Sequence, residues 1–258
     1  QTKDRNSSSD AAPDHSVSSQ DSPSEENRES GQHILVHHKV NTGKIEAFIE
    51  SRISPFQLEV SDAGSVLVAF SGVTREPGRD DTDVFFRRFT PDGEWTDLVR
   101  ISTENILDRA PALLAGPREW IHYAWLVHDR KTGKVGLKYQ RSRDGGESWV
   151  DSVVLHVGVT VARVPVLQGD TTGNIYLYIS NQPQHPGPER LHLYRSGNLG
   201  ASWEKVDVGF QSAAKGSALE PQLDVGDAGE AGLVWLDQTP GGRAVVFSGT
   251  KNGGVTWS

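Results

Sequence analysis

The 258-residue chain contains neither cysteine nor methionine. Without thiols no disulfide framework and no thiolate metal site can form, and the redox compartment leaves no mark on the sequence. Nor is there an apolar run approaching the ~18 residues that a membrane helix needs. A phosphate-binding G-x-x-x-x-G-K-[ST] loop, a dinucleotide-type glycine pattern and a G-x-S-x-G elbow are all missing, so no cofactor is expected. Positive charge is in the minority: 26 Lys and Arg face 34 Asp and Glu, a net charge of −8. That balance argues against nucleic acid or an anionic membrane as partner, and an anionic ligand would need a local cluster of arginines. A chain that starts at Gln1 with no initiator Met implies that something preceded it. A removed signal peptide, and with it a secreted, periplasmic or cell-surface location, is the expectation.

What is present divides at about residue 33. Residues 1–32 are mostly Ser, Asp, Glu, Asn and Pro, which bury too little surface to offset ordering entropy, so a disordered tail or linker is expected there. From 33 to 258 the texture is short apolar runs of five to seven residues punctuated by Gly, Asp, Asn and Pro, without a 3.6-residue period, which is all-β texture. Trp95, Trp149, Trp203 and Trp257 recur at intervals of 54 residues. A period near 50 with several strands per unit marks a propeller or similar array. The segments ahead of the tryptophans repeat as well: Ser142-Arg143-Asp144-Gly145-Gly146-Glu147-Ser148-Trp149 and its counterparts ending at Trp203 and Trp257 share S/T-x-D/N-x-G-x-S/T-W. Thr90-Pro91-Asp92-Gly93-Glu94-Trp95 is a shortened version. This is turn chemistry: Asp or Asn folds onto backbone N–H groups, Gly supplies positive φ, and Trp covers the turn. Strands are expected at 56–60, 66–70, 84–89 and 98–101 in the first unit, with counterparts at 120–127, 135–141, 175–179, 191–195, 232–236 and 244–249. The fourth unit stops before its outermost strand, and two expectations stay open: that the chain continues in the native protein, or that an early strand at 34–40 closes the last unit.

These repeats resemble the Asp boxes (BNR repeats) of sialidases (neuraminidases) and related glycoside hydrolases. Arg52-Ile53-Ser54-Pro55 is similar to the sialidase F/Y-R-I-P signature with Ser inserted. Asp80-Asp81-Thr82-Asp83 leading to Arg87-Arg88 resembles the family's D-x-D-x-x-x-R-R run, and Leu219-Glu220-Pro221 the segment that carries its catalytic glutamate. The resemblance implies a propeller of six blades, of which four are recognisable, and retaining hydrolysis of a terminal sialic acid. It casts Arg52 and Arg75 as carboxylate-binding residues, Asp80 or Asp81 as acid/base, and Glu220 as the residue that activates a tyrosine nucleophile. The family's tyrosine lies beyond its glutamate, whereas Tyr123, Tyr139, Tyr176, Tyr178 and Tyr194 all precede Glu220.

Aligning the repeats adds Arg109-Ala110-Pro111 and Arg163-Val164-Pro165 at the place of Arg52, with Glu220-Pro221 next in the series. One such residue per unit, just ahead of the innermost strand, would line the channel mouth with Arg52, Arg109, Arg163 and Glu220. Two readings stay open: a mouth that binds an acidic glycan, or arginines tied to neighbours such as Asp108 as braces between units. Asp80, Asp81 and Asp83 sit in a loop on this reading, solvated more readily than metal-bound, and no metal is expected from His33, His37 and His38, since neighbours in a strand point to opposite faces. Trp120, Trp125 and Trp235 are expected in the core. The leading expectation is a sialidase-like glycoside hydrolase acting on sialylated or other acidic glycans; the alternative is a non-catalytic Asp-box propeller that binds glycans or proteins.

Overall fold

The computed structural model describes residues 35–39, 46–50, 56–76, 79–104, 106–158, 160–162, 164–183, 190–208, 217–239 and 242–258. The tail expected at 1–32 lies outside these residues, as do His33, Arg52 and Arg163. Arg75 and Asp80, along with His37 and His38, are placed by their backbone.

The described residues form strands and turns without a helix, in four antiparallel sheets. Sheet I runs in the order β1 (Leu35–Lys39), β2 (Glu46–Glu50), β4 (Val66–Glu76), β5 (Arg79–Phe89), β6 (Val99–Arg100), and β3 (Gln57–Val60) shares an edge of β4 with β2. Sheet II is β7 (Leu107–Ala115), β8 (Ile121–His128), β9 (Val135–Ser142) and β10 (Val153–Gly158), paired in sequence order. Sheet III pairs β13 (Ile175–Pro183) with β14 (Arg190–Ser196) and β14 with β15 (Glu204–Val206), while β11 (Thr160–Ala162) and β12 (Val166–Gly169) both pair with β13. Sheet IV is β16 (Ser217–Val225), β17 (Ala231–Thr239) and β18 (Gly242–Thr250). Of the two expectations for the last unit, closure by the early strand is not what forms: β1 joins sheet I through β2.

Alternation builds the packing between sheets. Every side chain of β8 from Ile121 to Val127 is buried, because the strand is covered on both faces. Ile121, Tyr123, Trp125 and Val127 meet Leu67, Ala69, Val84 and Phe86 of sheet I. Ala124 and Leu126, on the opposite face, meet Leu167, Ile175, Leu177 and Ile179 of sheet III. β13 repeats the device, turning Tyr176 and Tyr178 to Leu223, Leu233 and Trp235 of sheet IV.

The Asp boxes close at the far end of each unit as turn chemistry requires. Gly146 donates its N–H to Ser142 Oγ at 2.9 Å, Ser148 N–H reaches Asp144 Oδ1 at 2.9 Å, and Trp149 Nε1 donates to the Gly146 carbonyl at 3.1 Å. Thr250, Asn252, Gly254, Thr256 and Trp257 repeat the set. Each tryptophan also seals a joint with the preceding sheet: Trp149 stands edge-on to Phe86, Trp203 to Tyr139 and Trp257 to Tyr176. Trp95, in the first unit, is 49% exposed, because among the described residues no sheet precedes its own. The same reason leaves Leu58 and Val60 of sheet I 64% and 65% exposed, while Val245 and Phe247 of sheet IV are 77% and 67% exposed because among the described residues no sheet follows theirs.

Candidate functional site

In two of the sheets the strand facing the neighbouring sheets is broken by a bulge at the same repeat position. Pairing of β7 with β8 jumps between Arg109 and Ala112, and pairing of β16 with β17 jumps between Leu219 and Gln222. A proline sits in each break, and the residue ahead of it takes positive φ, 52° at Ala110 and 50° at Glu220. Proline removes a ladder donor, and the extra residue re-aims its neighbours. The repeat register follows: Glu220 occupies the place of Ala110, and Leu219 that of Arg109. Counting along the sequence equates Glu220 with Arg109 instead, and the structure shifts it by one residue. β12 begins just past Arg163-Val164-Pro165, with Val166 opposite Tyr178, as Ala112 is opposite Ala124.

The bulges carry the candidate residues at one end of the sheets. Arg109 is half-buried on the face of β7 turned to sheet III, and among the described residues no carboxylate pairs with it. Glu220 is exposed. Its bulge is held from sheet III, where buried Tyr178 donates its hydroxyl to the Pro221 carbonyl at 2.8 Å. Removing that hydroxyl in Tyr178→Phe leaves the carbonyl without its donor. We expect a loss of about 1 kcal/mol and a fall in Tm of about 2–4 °C, read by thermal denaturation.

Two sequence expectations change here. Arg75 and Asp80–Asp83 are not loop residues. The β4–β5 ladder continues through them, with Arg75 opposite Asp80 and Thr74 opposite Asp81, and Asp81 is buried. Asp83 is fully buried: Arg100 reaches its Oδ2 at 2.8 Å and Ser102 Oγ donates to its Oδ1 at 2.9 Å, so it braces sheet I internally. Among the described residues no group of three metal-ligating side chains is placed to hold an ion.

Asp108 is the residue that sequence reasoning undervalued. It does not tie Arg109. It points the other way, to sheet I, is 1% exposed, and takes a hydrogen bond of 2.6 Å from the Trp125 indole N–H on Oδ1, while its buried Oδ2 has no hydrogen-bond partner. Burial pushes its pKa up to about 7, against the pull of the Trp125 indole, of Lys138's charge and of the Ser102 hydroxyl, whose hydrogen-bond distance of 2.9 Å is to Asp83 instead, and Asp83's charge pushes the same way as burial. The only sequence signal for it is an acid that follows two apolar residues in Ile106-Leu107-Asp108. Trp125 and Trp235 are buried as expected, while Trp120 stacks on His122 and lies under the Arg141 guanidinium.

All five tyrosines are buried. Burial pushes the hydroxyls of Tyr176 and Tyr194 up to about 12, and those of Tyr123, Tyr139 and Tyr178 upward as well.

No protein-family model and no curated protein sequence matches the chain. Solved structures do. The GH93 α-L-arabinofuranosidase of Fusarium graminearum, in complex with arabinobiose, aligns with a TM-score of 0.55 at 17% identity over 76% of this chain and 62% of that one. An ulvan lyase of polysaccharide lyase family PL25 aligns with a TM-score of 0.55 at 11% identity, over 82% of this chain and 57% of the lyase. The NanB sialidase of Streptococcus pneumoniae aligns with a TM-score of 0.50 at 10% identity, over 89% of this chain and 53% of the sialidase. The chain thus spans less than two thirds of the length of each of these three neighbours. At such identities the likeness speaks for architecture alone: an all-β array of antiparallel sheets of the propeller type found in these glycoside hydrolases and lyases.

Proposed function

We propose that this chain forms part of a sialidase-like, carbohydrate-active propeller that binds an acidic sugar at the bulged end of its inner strands. The observation that carries the reading is Arg109, a half-buried cation beside a bulge, with no carboxylate partner among the described residues of an acidic protein. A guanidinium held so is ready for bidentate contact with a sugar carboxylate. Arg52, Arg75 and Arg163 would complete the grip in the neighbouring repeats, with Asp80 or Asp81 as acid/base and Glu220 offering an exposed carboxylate on a pinned bulge. A sialidase, arabinose-releasing enzymes and a lyase bound to a glucuronate-containing glycan share the fold, which supports a glycan as ligand.

One observation favours a second reading, a propeller that binds acidic glycans without cleaving them. A tyrosine nucleophile needs access and a lowered pKa, whereas every tyrosine of this chain is buried and shifted upward. One pair of assays separates the readings. Release of a fluorogenic sialoside reports turnover, and calorimetric titration with sialic acid and glucuronic acid reports binding. Arg109→Ala is expected to weaken binding by about tenfold or more, the worth of a charge-assisted hydrogen bond. Glu220→Gln is expected to abolish turnover while leaving binding near wild type if the chain is catalytic. Acidic-sugar affinity that Arg109→Ala leaves unchanged would remove the basis of both readings.

A further inference from the structure

The hairpin between β8 and β9 is the cationic feature that the rim reading leaves unused. Its tip, Asp129-Arg130-Lys131-Thr132-Gly133-Lys134, exposes three cations. The one acid in the tip is spent on shaping it. Asp129 Oδ1 accepts the Lys131 N–H at 2.8 Å, Oδ2 accepts the Thr132 hydroxyl at 2.6 Å, and the Asp129 carbonyl accepts the Gly133 N–H at 2.8 Å. These bonds hold the Asp129 carboxyl below the usual carboxylate range, the Thr132 hydroxyl contributing most. Among the described residues no carboxylate forms an ion pair with Arg130, Lys131 or Lys134. A tight turn thus presents three exposed cations against the one carboxylate of Asp129, whose charge acts on Lys131, so the tip stays net positive in a chain of net charge −8.

Its position ties it to the candidate site. Arg109 stands opposite Leu126 on β8, and His128, two residues on, is paired with both Leu107 and Val135. The tip therefore projects from the same end of sheet II as Arg109, about 10 Å further along the strand at ~3.3 Å per residue. That span suits the next sugars of an oligosaccharide rather than the one held at Arg109.

We infer that Arg130, Lys131 and Lys134 form a subsite for the acidic sugars of a polyanionic polysaccharide, so that the ligand is a uronate-bearing chain crossing sheet II outward from the rim. The inference rests on reading that end as glycan-binding, and it adds polymer length and repeated charge as the recognised features. Charges spaced along a solvated tip act through a salt-sensitive field.

The test uses oligogalacturonate, its methyl-esterified form and monomeric galacturonate as probes, titrated calorimetrically into the whole chain at low and high salt. A variant carrying Arg130→Gln, Lys131→Gln and Lys134→Gln keeps Asp129 and so the turn, which an unchanged melting temperature verifies. Expected are tighter binding of the oligomer than of its ester, a loss of about tenfold or more for the oligomer in the triple variant, and no change for the monomer. Arg109→Ala separates the two readings: if it leaves monomer binding intact while the triple variant still loses the oligomer, the rim reading fails and the subsite stands. Equal binding of oligomer and ester, wild-type affinity in the triple variant, or equally tight binding of a short duplex DNA would each overturn the subsite.

Discussion

Asp108→Asn is expected to stabilise the protein at neutral and alkaline pH and to leave it nearly unchanged near pH 4. The wild-type carboxyl is 1% exposed, with one oxygen on the Trp125 indole and the other without a partner. In the folded chain it holds its proton up to about 7, against an ordinary value of 3.8. Between those values the unfolded chain has released the proton and the folded chain retains it. Rising pH therefore favours unfolding, the penalty growing from about pH 4 and levelling off above about pH 7. The gap corresponds to about 4 kcal/mol at its full extent. Asparagine keeps an oxygen for Trp125 and puts an amide where the protonated acid has its hydroxyl. It cannot ionise, so the penalty disappears while the packing stays. Thermal melts of both proteins from pH 4 to pH 8 should diverge steadily, reaching about 8–16 °C in favour of the variant. Parallel curves across that range would mean that Asp108 is solvated or paired in solution.

Asp108 also shows what the sequence could not disclose. The Asp boxes were legible because their chemistry is local: Ser142, Asp144, Gly146 and Ser148 bond to one another within seven residues, and the pattern recurs in phase with Trp149, Trp203 and Trp257. The buried acid depends on an indole 17 residues away and on the cover of sheet I, neither of which leaves a periodic mark. Arg75 and Asp80–Asp83 read as loop because polar side chains at Pro and Gly suggest solvent. The ladder that holds them is made of backbone groups, indifferent to side-chain polarity. Glu220 is singled out by its resemblance alone, and counting puts it one residue off in the repeat register, since a bulge inserts a residue that spacing alone does not reveal. The middle strands of each unit were thus readable, whereas their length was not, nor were β7 and β16, whose proline bulges interrupt the apolar run; it is the added length of β4, β5, β13 and β17 that forms the end of the sheets where the candidate residues lie.

The Asp-box glycines permit a final expectation, in which the joint between sheets rather than the turn decides the outcome. Gly93 and Gly200 both adopt positive φ, 87° and 74°. Alanine at either costs the left-handed backbone, about 1–2 kcal/mol. At Gly93 a new Cβ meets nothing within 4 Å, since the first box has no preceding sheet to touch among the described residues. At Gly200 it would lie 1.8 Å from Tyr139 Oη and 2.6 Å from the ring carbon that bears it. Tyr139 is a buried member of the core between sheets II and III, edge-on to Trp203, and shares a hydrogen bond of 2.7 Å with buried His122. His122 is a poor proton acceptor in that setting: burial first, and the Arg141 charge second, bring its pKa down to about 3. It therefore stays neutral and cannot recover the lost bond as a charged group in the pH range where the protein would be handled. Gly200→Ala must displace the Tyr139 ring, break that bond and open the joint, for a total of about 3–5 kcal/mol. The expected drop in Tm is about 10 °C, against a few degrees for Gly93→Ala. Because Tyr139→Phe removes the same hydrogen bond, the double variant with Gly200→Ala should lose less than the two single losses combined. Equal losses at Gly93 and Gly200, or full additivity with Tyr139→Phe, would show that the glycines serve the turns alone and that the contact with the preceding sheet contributes nothing to holding the array together.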